Sequence, residues 1–159
     1  MENISCEIGG VVIRRISKNI DNRGWLMELF RADELPQGFR PVMSYISMTK
    51  PGVVRGPHEH REQNDYLCFI GSSKFRIYLW DNRPNSPTYR DEWRFEAGTE
   101  DMVAIFVPRG IVHAYKNIGD TAGMVLNVPD RLYAGEGRKE PIDEIRYEER
   151  GDNLFTVAD

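Results

Sequence analysis

Long apolar runs, cysteine clusters and an excess of basic charge are all missing from this 159-residue chain. No stretch reaches the unbroken apolar length of a membrane span, and the N-terminal MENISCEIGG has neither the basic nor the apolar region of a secretory signal. The chain is therefore expected to stay in the cytoplasm, away from membranes. Its two cysteines, Cys6 and Cys68, stand far apart and outside any CxxC pattern, which excludes a disulfide framework and a thiolate metal site and leaves two reduced thiols. A formal net charge of -4 gives no reason to expect nucleic acid as a partner, although local arginines can still hold a small anionic ligand. Repeats, low-complexity tracts and Pro/Gly linkers are absent as well, and 40% hydrophobic content fills one core, so residues 1–159 read as a single domain.

Helical periodicity is equally scarce. It is confined to Arg31–Leu35 and to the charged tail from about residue 140, where Pro141–Arg150 reads as a short helix or an extended arm. What the chain has instead is a series of short β-branched and aromatic runs: Gly10–Ile16, Gly24–Leu29, Val42–Thr49, Tyr66–Ile70, Lys74–Trp80, Glu92–Glu96, Met102–Val107, Ile111–Lys116 and Gly123–Val128. Asp21-Asn22-Arg23-Gly24, Lys50-Pro51-Gly52, Asp81 to Asn85 and Pro108-Arg109-Gly110 supply the turn chemistry between them. The pattern is all-β, a sandwich or closed barrel. In Lys74–Trp80, Phe75, Ile77 and Leu79 alternate with Arg76, Tyr78 and Trp80, so one face is expected in the core, with Tyr78 and Trp80 at the barrel mouth or lumen.

All three histidines fall in motifs. His58-Glu59-His60 follows Gly56-Pro57 in a segment expected to be extended, where residues two apart share a face, so both imidazoles enter one cavity. His113 lies in Pro108-Arg109-Gly110-Ile111-Val112-His113-Ala114-Tyr115-Lys116-Asn117, which matches PxGxxHxxxN. Gly52, His58, His60 and Gly71 match the companion pattern GxxxxxHxH…G, except that Asn64, between Gln63 and Asp65, stands where a glutamate is expected. Both motifs in order resemble those of the cupins, whose fold is a double-stranded β-helix or jelly-roll barrel. Two uses of the histidines compete. They bind a divalent transition metal, with Asp65 or Glu62 and water completing the shell, or they bind none and one acts as general base. For a lone histidine, a role without chemistry is the commoner fate.

Further segments resemble the dTDP-4-dehydrorhamnose 3,5-epimerase family over nearly the whole chain: Asp21-Asn22-Arg23-Gly24 with Glu28, Gly52-Val53-Val54-Arg55-Gly56-Pro57-His58, Asp81-Asn82-Arg83 with Ser86-Pro87-Thr88, and Val107-Pro108 through His113. The resemblance implies a cytoplasmic nucleotide-sugar epimerase or isomerase of deoxysugar and polysaccharide biosynthesis that needs no cofactor. It implies His58 as the base next to the sugar ketone, with His113 also in the catalytic pair and Arg23, Glu28, Arg55 and Asn64 on the substrate. It further implies a homodimer in which the N-terminal strands, residues 1–50, reach the neighbouring subunit's site.

The chain departs from the family in places. A count without gaps puts Leu126 at the family's tyrosine acid, Asn64 at the lysine that supports the enolate, and Met43 and Tyr45 at a Gln-x-Asn pair, while His60 is additional. Tyr45, Tyr78, Tyr115 and Tyr133 are available as replacements for the acid, and none is assigned. Two alternatives to the epimerase follow: a metal-dependent cupin enzyme with the site His58, His60 and His113, and a non-catalytic carbohydrate-binding cupin. The tail from Asp143 onward either covers the pocket or is a solvated arm.

Overall fold

The β-branched runs pair into two facing antiparallel sheets in the computed structural model, which describes residues 2–151 and 154–158. Six strands, in spatial order β1 (Asn3–Ile4), β2 (Val12–Arg15), β10 (Val103–Val107), β7 (Asp65–Gly71), β12 (Gly123–Asn127) and β5 (Tyr45–Thr49), form the first sheet. The second runs β13 (Ile145–Arg146), β6 (Val54–Glu59), β11 (Ile111–Asn117), β8 (Lys74–Asp81) and β9 (Glu92–Gly98), and β3 (Asn19–Asp21) pairs β4 (Gly24–Leu26) as a separate hairpin. Each of the nine runs read from the sequence contains a strand, and the His58 segment is extended within β6. The architecture is the all-β jelly roll expected.

Strand alternation decides what lies between the sheets. Leu67 and Phe69 on β7, Ile105 and Val107 on β10, and Val125 on β12 face Phe75, Ile77 and Leu79 on β8 and Ile111 on β11. Such side chains each contribute about 1.5–3 kcal/mol when fully buried. This apolar plug fills one end of the interior. At the other end the same alternation brings Asp65, His113 and Asn127 inward, so the polar site is a continuation of the core strands.

Three expectations change. Arg31–Leu35 forms turns rather than helix, having too few residues to repay helix nucleation. Tyr78 and Trp80 line neither mouth nor lumen; they lie on the outer face of β8, buried with Val112, Ala114 and Tyr147 beneath Phe155 and Val157 of the tail. The tail is an extended arm, as one of its two readings had it, and neither a free nor a merely solvated one. It adds β13 to the edge of β6, donates the Tyr147 amide to the Pro57 carbonyl, and packs Phe155 on Tyr147 at a ring distance of 4.7 Å.

Candidate active site

Gly56 sets the geometry of the histidine strand. Its φ is +81°, and a Cβ there would meet the His113 carbonyl oxygen at 2.5 Å, so β6 can approach β11 this closely only without a side chain. The approach makes His58 and His113 cross-strand partners with ring centroids 4.3 Å apart. His60 joins them from the end of β6, its ring 5.8 Å from His58 and 5.9 Å from His113. Glu59, between the two histidines, faces outward and accepts a hydrogen bond from Tyr147 Oη at 2.5 Å.

Asp65 organises the cluster from the opposite sheet. One carboxylate oxygen lies 3.1 Å from His60 Nε2 and 3.4 Å from His113 Nε2, and the other accepts from Gln63 Nε2 at 2.8 Å and Asn127 Nδ2 at 2.9 Å. The Asp143 carbonyl takes His60 Nδ1, so both nitrogens of that ring face acceptors. The Asp143 carboxylate in turn accepts the backbone N–H groups of Arg61, Glu62 and Gln63 at 3.0, 2.8 and 2.9 Å. The arm therefore clamps the turn that follows the histidine pair. Asn127 Nδ2 also donates to the Tyr45 hydroxyl at 2.9 Å, while Asn127 Oδ1 is buried without a partner. A buried orphan acceptor costs about 1–3 kcal/mol, and such groups concentrate where a protein does chemistry.

These surroundings separate the two histidines of the pair. Burial, and then the neighbouring His113 and His60, hold His58 well below the usual histidine value, so it is a neutral imidazole. Burial also works against charge on His60, but the hydrogen bond and charge of Asp65 and the Asp143 carbonyl outweigh it and raise this histidine to about 9. Burial pushes Asp65 upward and is overcome by its bonds to His113 and His60, which keep the carboxylate far below its ordinary value. A neutral and a charged imidazole thus stand side by side.

His58 and His113 open on a cleft of about 460 Å³ lined also by Arg55, Tyr115 and Asn127. A second cavity of about 710 Å³ continues from it along the 129–143 loop, with His60, Arg131, Tyr133 and Arg138 in its wall. Tyr45, Glu144 and Arg146 border both. Arg55 reaches the first cleft with its guanidinium held by Thr49 Oγ1 at 2.9 Å and the Met48 carbonyl at 2.8 Å, and Glu144 approaches His58 Nε2 to 4.0 Å.

Of the residues singled out in the sequence, His58, His60, His113, Asp65 and Arg55 come together here. Glu62 does not: its carboxylate is exposed and bound to Arg131 at 2.8 Å, too far outside to complete a metal shell with the histidines. Asn64 is also drawn off, its amide donating to Asp130 at 2.6 Å and its oxygen accepting the Arg109 N–H at 3.0 Å, so it latches two loops instead of facing the cleft. Arg23, on the β3–β4 hairpin, pairs with Asp21 at 2.6 Å, and Glu28 lies 3.8 Å from Arg31; neither lines the cleft of its own chain. Leu126 packs in the outer cluster with Phe106 and Val128, pointing away from the histidines. Asn127 and Asp143 went unread in the sequence. The alternation through Val125 signals the first; the second lies 83 residues from its histidine and has no local signal.

The His58, His60 and His113 nitrogens lie within 4.8 Å of one another, close enough to share one ion. Donor type and convergence therefore fit a divalent transition metal, with Asp65 as the carboxylate at hand.

Comparison with known proteins gives the family and the fold. Residues 5–143 match the dTDP-4-dehydrorhamnose 3,5-epimerase family. A probable low-salt glycan biosynthesis epimerase of Haloferax volcanii is 36% identical over 135 residues, spanning 84% of this chain and 85% of the relative. A spore coat polysaccharide biosynthesis protein of Bacillus subtilis is 31% identical over 115 residues, 72% of this chain and 74% of the relative. Among solved structures, a 4-keto-6-deoxy sugar epimerase from the novobiocin gene cluster of Streptomyces spheroides superposes with a TM-score of 0.76 at 23% identity, covering 92% of this chain and 73% of that one.

Proposed function

The chain belongs to the dTDP-4-dehydrorhamnose 3,5-epimerase family and is a sugar epimerase of glycan or polysaccharide biosynthesis, and from that we propose that it epimerises a dTDP-4-keto-6-deoxyhexose at a carbon beside the ketone, with His58 as the base. The observation that supports this most is neutral His58 opening with Arg55 on the cleft. His58 takes the α-proton, the C–H electron pair moves onto the ketone oxygen as an enolate, and a proton returned to the opposite face of the carbon restores the ketone with inverted configuration. Arg55, on the same cleft as His58, is the cation placed to stabilise the oxyanion. The reaction is redox-neutral and runs without a cofactor.

The substrate is a nucleotide sugar, its diphosphate suited to arginine forks such as Arg55 and, from a neighbouring subunit, Arg23. That last contact requires a homodimer, which we propose for these single-domain chains. Ile20, Trp25 and Leu26 of the hairpin are exposed, and so are Ile46 and Met48 on the edge strand β5, leaving two apolar surfaces uncovered in one chain. We place the enzyme in the cytoplasm, on the strength of two free thiols and of no helix among the described residues long and apolar enough to cross a membrane. Solvent deuterium exchange into dTDP-4-keto-6-deoxyglucose tests the reaction: wild type is expected to label the α-carbon and His58→Asn to lose roughly 10²–10⁴-fold in rate. Unlabelled sugar with intact wild type rules the reaction out, and tight binding without exchange would mark a carbohydrate-binding module instead.

The convergent nitrogens favour one other reading, a metal-dependent cupin enzyme holding a divalent ion on His58, His60 and His113. Elemental analysis of untagged protein, beside His60→Ala, decides it. About one equivalent of transition metal, lost in the variant, establishes that reading; no stoichiometric metal leaves His58 as a free base.

A further inference from the structure

Inversion at a carbon requires a proton donor on the side of the sugar facing away from His58, and the family's position for it is Leu126, whose side chain is turned into the outer cluster. Building on the epimerase reading above, the geometry points to Tyr45 as the residue that returns the proton, acting from the sheet opposite the base. His58 lies on β6 of the five-stranded sheet, whereas Tyr45 begins β5, the strand beside β12 in the six-stranded sheet. The cleft lies between the two and is lined by both residues.

The other tyrosines fail on placement. Tyr78 is sealed under the arm with its hydroxyl on the Ala158 carbonyl. Tyr115 also lines the cleft, but from β11 of the sheet that carries His58, and its ring is held edge-on against Phe69 and Phe75 with its hydroxyl on Ser47. Tyr133 belongs to the wall of the larger cavity and does not line the histidine cleft. Tyr45 borders both cavities, its ring partly exposed and its hydroxyl turned inward to Asn127, so a substrate in the cleft, and the water that replaces it, can reach that hydroxyl.

Its hydroxyl is also held at the level of the histidines. Asn127 Nδ2 donates to Tyr45 Oη at 2.9 Å and to Asp65 at 2.9 Å, and Asp65 contacts His60 and His113. Because the Tyr45 oxygen accepts from Asn127, its own proton is available for donation. Burial, followed by the Asp65 charge, raises this phenol to about 12, so it carries that proton across the neutral range. In the step itself the phenolic O–H breaks, a C–H bond forms, the enolate electrons return to carbon and the ketone is restored. The phenolate then takes a proton from water, and the His58 imidazolium gives one up. Tyr45 stands where the family has the asparagine of a Gln-x-Asn pair, so the chain lacks a tyrosine on one strand of the site and has one on the next.

The test uses wild type, Tyr45→Phe and His58→Asn with dTDP-4-keto-6-deoxyglucose in D2O, following loss of the α-hydrogen and inversion separately by NMR. In Tyr45→Phe, exchange is expected to stay within about fivefold of wild type while inversion falls about 100-fold; His58→Asn loses both. A Tyr45→Phe enzyme whose inversion falls by less than about tenfold relative to exchange, or in which the two fall together, overturns the assignment, since a merely structural tyrosine gives that result. If wild type neither exchanges nor inverts, the epimerase reading falls first and this inference with it.

Discussion

At the scale of single residues, two imidazoles separated by one glutamate are given different charges by what each ring touches. His58 has burial and its histidine neighbours while His60 has Asp65 and the Asp143 carbonyl, and the difference in charge between the two rings follows from those surroundings. Gly56 underlies the arrangement. Gly56→Ala is expected to cost about 1–3 kcal/mol, because the new methyl meets the His113 carbonyl at 2.5 Å in a left-handed backbone; denaturant unfolding measures it. Asp143→Ala should cost a similar amount, about 1–3 kcal/mol, by orphaning the N–H groups of Arg61, Glu62 and Gln63. The loosened turn also releases His60, so kcat should fall more than KM rises, a split that steady-state kinetics can read. The histidines were legible as motifs because each sits at a fixed spacing from a turn glycine. Asp143 was not, since a carboxylate in an acidic tail looks like any other solvated charge until the arm folds back.

At the scale of elements, strand parity explains both the clearest success and the plainest correction. Phe75, Ile77 and Leu79 entered the core as their alternation requires. The same alternation placed Tyr78 and Trp80 outside, where the arm covers them, and nothing local to β8 announces a cover contributed by residues beyond 144. Phe155→Ala is therefore expected to destabilise the whole chain by about 1–2 kcal/mol, less than a fully buried aromatic, and to raise Trp80 exposure; urea unfolding followed by tryptophan fluorescence measures both. On β12 the same parity turns Val125 to the core, Leu126 to the outer cluster and Asn127 to Asp65, so Asn127, not Leu126, meets the site.

For the whole molecule, the turn after β8 ties the sheets and loops together. Asp81 is buried and accepts from Arg83, Ser86 and Thr88, and Arg83 reaches on to the Gly9 carbonyl at 2.6 Å. Burial would raise this carboxyl, but those bonds prevail and hold it far below its ordinary value. Its folded pKa is lower than its unfolded one, so the stabilisation is complete above the unfolded value near 3.8 and lost as pH falls through the folded value. Asp81→Asn should accordingly be less stable than wild type by about 1–3 kcal/mol at neutral pH, with the gap closing toward strong acid. Equilibrium unfolding of both proteins across acidic pH checks it, and a gap that stays constant would contradict the linkage. Asp81-Asn82-Arg83 and Ser86-Pro87-Thr88, two of the segments that resemble the family, close this turn and do not line the histidine cleft.

Sequence alone determined the strand order of events along the chain, the all-β class and the histidine motifs, because those rest on period-two alternation, turn residues and spacing, all of which are local. It also exposed the missing tyrosine at position 126. Tertiary structure decided the rest: that Asp65 and Asp143 hold the charge on His60 while burial keeps His58 neutral, that Glu62 and Asn64 are spent on loops, and that Tyr45 and His58 line one cleft from opposite sheets. Each of these depends on which strands become neighbours and on a buried environment that raises or lowers a pKa, and both arise only when segments distant in the chain are packed together.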